Sequence, residues 1–251
     1  MKYYIIPNLK DLNKALKYSK EYDLGFEYND FFNPDILDNK DLLKKSFDTY
    51  KNLNRINDTF HGVFYDICLN SNDSKIRKIS EDRVEKSIKL AKKLNCKGVV
   101  FHTNYIDFMA GSKIYKESYL KLNSEFYIKM ANKYDIDIYI ENMFDQTPDM
   151  LFELVKRCNH EKINVCLDFA HANISKTPID VWFNKLKKYI KHIHLNDNDG
   201  LIDSHSEIGK GNIDFKHIKE LINELDDDTS VLIEISDVDT AIKSYLNLRE
   251  I

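Results

Sequence analysis

Residues 164–174, NVCLDFAHANI, form an apolar run that stops at an acid, Asp168, and is followed three residues later by His171. A short apolar run of this kind is typical of a buried strand that ends in a loop. An acid and an imidazole at such a strand end can be binding or catalytic groups, because such groups concentrate on loops. Taken alone, the same pair can also be a loop cap and a packed histidine.

Runs of the same kind recur along the whole chain. Eight β-rich segments span residues 3–7, 24–29, 58–64, 98–104, 137–143, 163–169, 190–197 and 231–236. Stretches with helical spacing separate them. In residues 80–95 the apolar side chains fall on one face of a predicted helix: Val84, Ile88, Ala91 and Leu94. Ser80 is the predicted N-cap of that helix.

The alternation of strand and helix predicts the fold. Eight βα units in 251 residues match the length of a (β/α)8 barrel. A doubly wound sheet usually carries a Gly-rich phosphate-binding turn, and the sequence contains none. No linker or shift in composition divides the chain. We therefore predict an α/β protein with a single (β/α)8 TIM barrel domain that covers residues 1–251.

The composition indicates a soluble globular protein, since 43% of the residues are hydrophobic and 31% charged. A net charge of −4 argues against a general binder of nucleic acids. The cysteines form no CxxC pair and predict a cytoplasmic, reducing location: Cys68, Cys96, Cys158 and Cys166. The N-terminal apolar run breaks at Pro7 and turns charged, so neither a signal peptide nor a membrane span is predicted.

Acids and imidazoles end the predicted strands from the third to the eighth. In chain order these residues are His61, His102, Glu141, Asp168 with His171, His194, and Glu234. The carboxyl ends of the strands of a (β/α)8 barrel open on one mouth, where the active site lies. We therefore expect these side chains to converge there, and nearly all of them are metal-ligand types.

Electrostatics favours a cation among them. Two carboxylates about 4 Å apart repel by roughly 4 kcal/mol at an effective dielectric constant of 20, so Glu141, Asp168 and Glu234 need compensation. Protonation of one acid or pairing with arginine are the alternatives, but none of the five arginines lies at a predicted strand end. Mixed carboxylate and imidazole ligands favour Mn²⁺ or Zn²⁺, with Co²⁺ or Fe²⁺ also possible, over Ca²⁺.

Several motifs resemble the xylose isomerase-like TIM barrels, a superfamily of sugar phosphate isomerases and epimerases that includes endonuclease IV. They are HGVFYDI, VVFHTNY, IYIENMF, NVCLDFAHAN, HIHLNDNDGLIDSHSEIGKGNIDF and LIEIS. In the epimerase branch four ligands hold one metal ion, and the resemblance puts them at Glu141, Asp168, His194 and Glu234. In the endonuclease branch further ligands complete a trinuclear zinc cluster, and these fall on His61, His102, His171, Asp203 and His205. The resemblance thus implies one to three ions.

The resemblance implies metal-dependent isomerisation or epimerisation of a small sugar, sugar phosphate or polyol. Glu141 and Glu234 would exchange protons on opposite faces of the substrate beside its carbonyl, and His171 would steady a substrate oxygen or the leaving proton. The expected partner is a small carbohydrate, with no membrane partner and no oligomeric state predicted.

Two other functions stay open. One is a zinc-cluster phosphoesterase or apurinic endonuclease that acts on nucleic acid. Against it, TNY follows His102 in place of a Pro-Gly turn, and the loop after His194 carries Asp197, Asp199 and Asp203, with one lysine before Gly211. The other is a sugar-binding barrel without catalysis, which is disfavoured because no ligand position is replaced.

The remaining polar residues have simpler interpretations. His192 alternates with His194 and is predicted to be a hydrogen-bonded core histidine. Glu27, at the end of the second strand, either touches substrate or is a solvated acid. Residues 209–211, GKG, are predicted to form a turn. Asn142 and Asn196 are predicted to orient the ligands. His160 and His217 are predicted to be histidines at the surface.

Overall fold

The computed structural model of the chain describes residues 1–109 and 111–251. Its strands are parallel and close into one barrel in chain order, β1 to β8. They are β1 Lys2–Ile5, β2 Gly25–Tyr28, β3 Thr59–His61, β4 Gly98–His102, β5 Asp137–Glu141, β6 Ile163–Asp168, β7 Ile190–Leu195 and β8 Ser230–Ile233. Each lies within or next to a predicted segment, and the predicted (β/α)8 fold is confirmed.

Helices connect the strands. They are α1 Leu12–Tyr22, α2 Pro34–Asp38, α3 Lys40–Lys51, α4 Ser74–Lys93, α5 Lys113–Tyr134, α6 Asp149–Cys158, α7 Phe169–Ile174, α8 Ile179–Leu186, α9 Phe215–Ile222 and α10 Val238–Glu250. Short 3-10 helices span Leu9–Asp11, Asp30–Phe32, Asp107–Met109 and Lys187–Tyr189. Among the described helices, none combines the length and the apolar character that a bilayer crossing requires. All four cysteines carry free thiols.

Helix α4 corrects one prediction, because Ser80 is not its N-cap. The helix begins at Ser74, and the side chain of Asp73 caps it by accepting hydrogen bonds from the amides of Lys75 and Ile76. Ser80 lies buried one and a half turns into the helix, where its hydroxyl donates to the carbonyl of Ile76 and accepts from the amide of Cys68. A serine followed by acids therefore marks an interior turn here, since its hydroxyl is satisfied by neighbouring backbone. The predicted apolar face is confirmed: Val84, Ile88, Ala91 and Leu94 are all buried.

The described residues group into two compact units. The first unit consists of residues 1–27, 146–148 and 165–251. In it β1 pairs with β2 and β8, and β7 pairs with β6 and β8. Asp168 at the end of β6 lies opposite His194 in β7. Tyr4, Ile6 and Leu232 form a buried apolar cluster.

The second unit consists of residues 28–145 and 149–164. Its strands β3, β4 and β5 are parallel, and every residue of β4 is buried, as expected for a parallel strand covered on both faces. The register places His102 at the end of β4 opposite Glu141 at the end of β5. The prediction of a single domain over residues 1–251 stays a prediction.

Candidate metal centre

In the second unit, His61, His102 and Glu141 converge at the ends of three neighbouring strands. Nε2 of His102 lies 3.3 Å from Oε2 of Glu141 and 3.3 Å from Nε2 of His61. Nε2 of His61 lies 3.5 Å from the same carboxylate oxygen. All three side chains are buried, so these groups meet with little screening by water.

The tautomer of His61 suits a metal ligand. Its Nδ1 lies 3.0 Å from the carbonyl oxygen of Gly62, which can only accept, so Nδ1 carries the proton. Nε2 then presents a lone pair towards Glu141. A lone pair and a carboxylate oxygen both favour a cation at the place where they meet.

In the first unit, His194 and Glu234 meet at the ends of β7 and β8. Nδ1 of His194 lies 3.3 Å from Oε2 of Glu234, the residue directly after β8. The amide of Glu234 donates to the carbonyl of Leu195, which extends the ladder between these strands and fixes the glutamate backbone. His194, Glu234 and the neighbouring Asp168 are buried.

Asp168 is the cap that the sequence offered as one alternative, and it also occupies the strand end that the other alternative requires. Its Oδ1 accepts a 2.6 Å hydrogen bond from the amide of His171 and caps α7. It also lies buried at a strand end, opposite His194. The cap thus holds the carboxylate at the strand end, because the side chain is fixed by the first turn of the helix.

A third group in the first unit joins His171, Asp203 and His205. Oδ2 of Asp203 lies 3.3 Å from Nε2 of His171 and 3.0 Å from Nε2 of His205. His205 has a positive φ of 43°, a conformation that costs a non-glycine residue about 1–3 kcal/mol and clusters at functional sites. Its Nδ1 lies 2.9 Å from the carbonyl oxygen of Glu234, which anchors the strained residue.

The pKa shifts in this group show what charge it favours. Burial would lower the pKa of His205, but Glu234 and Asp203 outweigh it and raise that pKa to about 10. Burial would raise the pKa of Asp203, but His171 and His205 outweigh it, and that pKa is lowered. The carboxylates therefore favour positive charge at this place, whether it comes from protons or from a cation.

Glu27 was predicted to be either a substrate contact or a solvated acid, and the solvated alternative is wrong. The residue is fully buried within β2, with Oε1 3.2 Å from Nε2 of His194 and Oε2 3.0 Å from Nε2 of His192. Burial alone would raise the pKa of Glu27, but His194 and His192 outweigh it and the pKa is lowered. The core role of His192 is confirmed: it is fully buried, and its Nδ1 lies 2.6 Å from Oγ of Ser230.

Backbone amides hold two aspartates of the loop after β7. Asp197 is buried, and its Oδ2 accepts hydrogen bonds from the amides of Gly209, at 2.9 Å, and Gly211, at 2.8 Å. Residues 209–211 are therefore the predicted turn, organised around Asp197. Asp199 accepts from the amides of Leu201 and Ile202. Of these three aspartates, Asp203 is the one that faces histidines.

The other predicted residues occupy simpler places. His160 bonds to Asn132 and His217 to Asp180, and both histidines are partly exposed as expected. Asn142 and Asn196 are buried beside strand ends, and their orienting role stays a prediction.

The donor sets fit a divalent ion. Ligand atoms of His61, His102 and Glu141 all lie within 4.8 Å of one another, and the same holds for His171, Asp203 and His205. Carboxylate oxygens and imidazole nitrogens are the donors that Mn²⁺, Zn²⁺, Co²⁺ and Fe²⁺ share. The nine predicted ligands thus fall into three buried or half-buried groups, one in the second unit and two in the first. Their role as ligands stays a prediction.

Residues 19–250 match the family model described as xylose isomerase-like TIM barrel. The chain belongs to this family. It is similar to the uncharacterized protein MJ1311 of Methanocaldococcus jannaschii, with 30% identity over 202 residues that cover 76% of this chain and 68% of the relative. The resemblance found in the strand-end motifs is thereby confirmed at the level of the family.

Two solved structures share the fold of this xylose isomerase-like barrel over nearly their whole length. A D-tagatose 3-epimerase-like protein has a TM-score of 0.80 and 25% identity, with 100% of this chain and 96% of the other covered. The protein TTHB071 of Thermus thermophilus, in a crystal soaked with ZnCl2, has a TM-score of 0.78 and 22% identity, with 100% and 97% covered.

Proposed function

We propose that the chain is a divalent-metal-dependent isomerase or epimerase that moves a proton next to the carbonyl of a small sugar, sugar phosphate or polyol. The observation that carries the proposal is the buried pair of His194 and Glu234, whose Nδ1 and Oε2 atoms lie 3.3 Å apart at two strand ends. The family and the similarity to a D-tagatose 3-epimerase-like protein support the reaction class.

The proposed ligands of one ion are Glu141, Asp168, His194 and Glu234. Each is a buried residue at the carboxyl end of a strand, and in a TIM barrel these ends open on one mouth. When bound, the ion would polarise the substrate carbonyl as a Lewis acid, an effect worth several kcal/mol. Mn²⁺ and Zn²⁺ are the preferred ions, with Co²⁺ and Fe²⁺ as further candidates.

The two glutamates act as the proton-transfer groups. One carboxylate takes the proton from the carbon beside the carbonyl, and the other returns a proton to the opposite face, which inverts that carbon. A positioned base of this kind typically contributes a factor of about 10² to 10⁴ in rate. His171 steadies a substrate oxygen or the moving proton, and Asp203, 3.3 Å from its Nε2, orients the ring.

A second candidate function is a phosphoesterase with two or three zinc ions. Five further donors favour it, because they come in addition to the four that one ion needs: His61, His102, His171, Asp203 and His205. Two zinc ions can clamp a phosphate and activate water. The small number of cations in the loop after β7 argues against a nucleic acid substrate, which binds through lysine and arginine.

Solvent exchange distinguishes the two reactions. The Mn²⁺- or Co²⁺-loaded full chain is incubated in D2O with a panel of ketoses and their phosphates, and we expect deuterium next to the carbonyl. Glu234→Gln keeps the shape but loses the base, so its rate should fall by at least about 10². Glu224→Gln, at a surface glutamate paired with Lys187, is the matched control and should keep the rate. Cleavage of a phosphodiester or an abasic-site oligonucleotide, without deuterium in any sugar, would favour the phosphoesterase.

A further inference from the structure

Glu27 forms the centre of a buried polar chain in the first unit. Its two carboxylate oxygens face the Nε2 atoms of His194, at 3.2 Å, and His192, at 3.0 Å. All three side chains are fully buried. His192 is held in turn from β8, since its Nδ1 lies 2.6 Å from Oγ of Ser230.

The carboxylate of Glu27 faces one ring nitrogen of His194, with Oε1 3.2 Å from Nε2. An ionised carboxylate oxygen can only accept a hydrogen bond, so this arrangement favours the tautomer of His194 with the proton on Nε2. Nδ1 is then left with a lone pair, and this atom lies 3.3 Å from Oε2 of Glu234. Two acceptors that face each other in a buried place favour a cation between them.

We propose that Glu27 is the positioning residue of the metal centre: it fixes His194 as an Nδ1 ligand and strengthens that nitrogen as a donor. Metal-binding histidines commonly donate their other N–H to a carboxylate, which sets the ring orientation and raises the basicity of the ligand. Glu27 acts through His194 and does not touch the substrate. The proposal rests on the metal site of the proposed function.

Metal affinity tests the proposal directly. The full chain and its Glu27→Gln variant are stripped of metal and titrated with Co²⁺ against a competing chelator. Loss of the carboxylate should weaken Co²⁺ binding by about 10- to 100-fold. Glu27→Asp keeps the charge on a shorter side chain and should fall between the wild type and the glutamine variant.

A structural role would give a different pattern. Asp58→Asn is the matched control, because Asp58 is also a buried acid, held by Arg55 and the hydroxyl of Tyr28. It should lower the stability of the metal-free protein in urea while the Co²⁺ affinity stays within about twofold. Should Glu27→Gln fail to fold, ¹⁵N NMR of the histidines in the wild-type chain gives an independent test. We expect His194 to be protonated at Nε2 and not at Nδ1, and the opposite tautomer would overturn the proposal.

The outcomes separate this proposal from the proposed function. If the wild type binds Co²⁺ and Glu27→Gln binds it equally well, Glu27 is not a positioning residue, while the metal site stands. If the wild type binds no metal, the metal site itself is wrong and the role of Glu27 fails with it.

Discussion

Nδ1 of His194 lies 3.3 Å from Oε2 of Glu234, in the part of the first unit where β7 and β8 end. His192 is two residues earlier in the same strand and equally buried, but its ring nitrogens face Glu27 and Ser230. These two histidines therefore make a matched pair, one at the proposed metal centre and one in the core.

Replacing each of the two histidines by glutamine should have different effects on metal binding. His194→Gln should weaken Mn²⁺ or Co²⁺ binding by more than about 100-fold, since a ligand matters at least as much as the groups that orient it. His192→Gln should weaken binding by at most about tenfold but lower the stability, because it breaks a buried network. Isothermal titration and urea unfolding measure the two quantities, and equal metal affinities of the two variants would remove His194 from the site.

His102→Ala tests whether more than one ion binds. If His61, His102 and Glu141 hold an ion of their own, the variant should lose about one equivalent of zinc while Asp168 and Glu234 retain another. Elemental analysis after dialysis gives the number of ions per chain. An unchanged number would mean that His102 contacts another ligand or the substrate and binds no metal itself.

Asp145 should make the stability depend on pH. Its Oδ2 accepts a 2.5 Å hydrogen bond from Oγ1 of Thr103 and another from the amide of Met143, and the residue is buried. Burial raises the pKa of Asp145 to about 6, although these hydrogen bonds lower it in part.

The sign follows from the proton balance. Between about pH 4 and 6 the folded chain binds the proton of Asp145 and the unfolded chain has lost it, so the free energy of unfolding falls as the pH rises. The loss is complete above about pH 6 and amounts to roughly 3 kcal/mol at most. Asp145→Asn removes this charge and keeps an acceptor, so it should be more stable than the wild type at pH 7.5 and similar at pH 4. Urea unfolding of the metal-free proteins measures this, and a difference that does not change with pH would contradict it.

Gly98 should be essential for packing at the start of β4. A Cβ atom on this residue would lie 2.4 Å from the ring of Tyr139 in the neighbouring strand. Gly98→Ala should therefore cost about 1–3 kcal/mol of unfolding free energy, the usual penalty of an overpacked core. At Gly111 a Cβ would meet nothing within 4 Å, and Gly111→Ala is the control. Equal unfolding midpoints of the two variants in urea would show that Tyr139 moves aside at no cost.

The strands could be predicted because a parallel strand covered on both faces is a continuous apolar run. Their exact ends could not. The third run was predicted as residues 58–64, but β3 ends at His61, since the apolar residues beyond Gly62 belong to the following loop. The start of α4 was missed because Asp73, which caps it, stands before a charged stretch without a clear apolar period.

Most of the predicted site residues were proposed because they end strands, whereas Asp203 and His205 were implied by the family resemblance alone. The interpretation of Glu27 as a solvated acid was wrong because its partner His192 is 165 residues away, and one sequence does not show which distant side chains meet an acid. Asp197 was counted as an acidic charge at the mouth for a similar reason. Its partners are the backbone amides of Gly209 and Gly211, and the sequence does not show which backbone amides an acid will meet.

Metal content measures most directly whether the strand-end acids and imidazoles hold a divalent ion. The purified full chain is stripped with a chelator, reloaded with Mn²⁺ or Zn²⁺, and analysed for bound metal and for thermal unfolding. We predict at least one ion per chain. An ion at 1,000 times its Kd stabilises the fold by about 4 kcal/mol, which should raise the Tm by several degrees. A chain that retains no metal and whose Tm responds to neither ion would contradict the proposed metal centre.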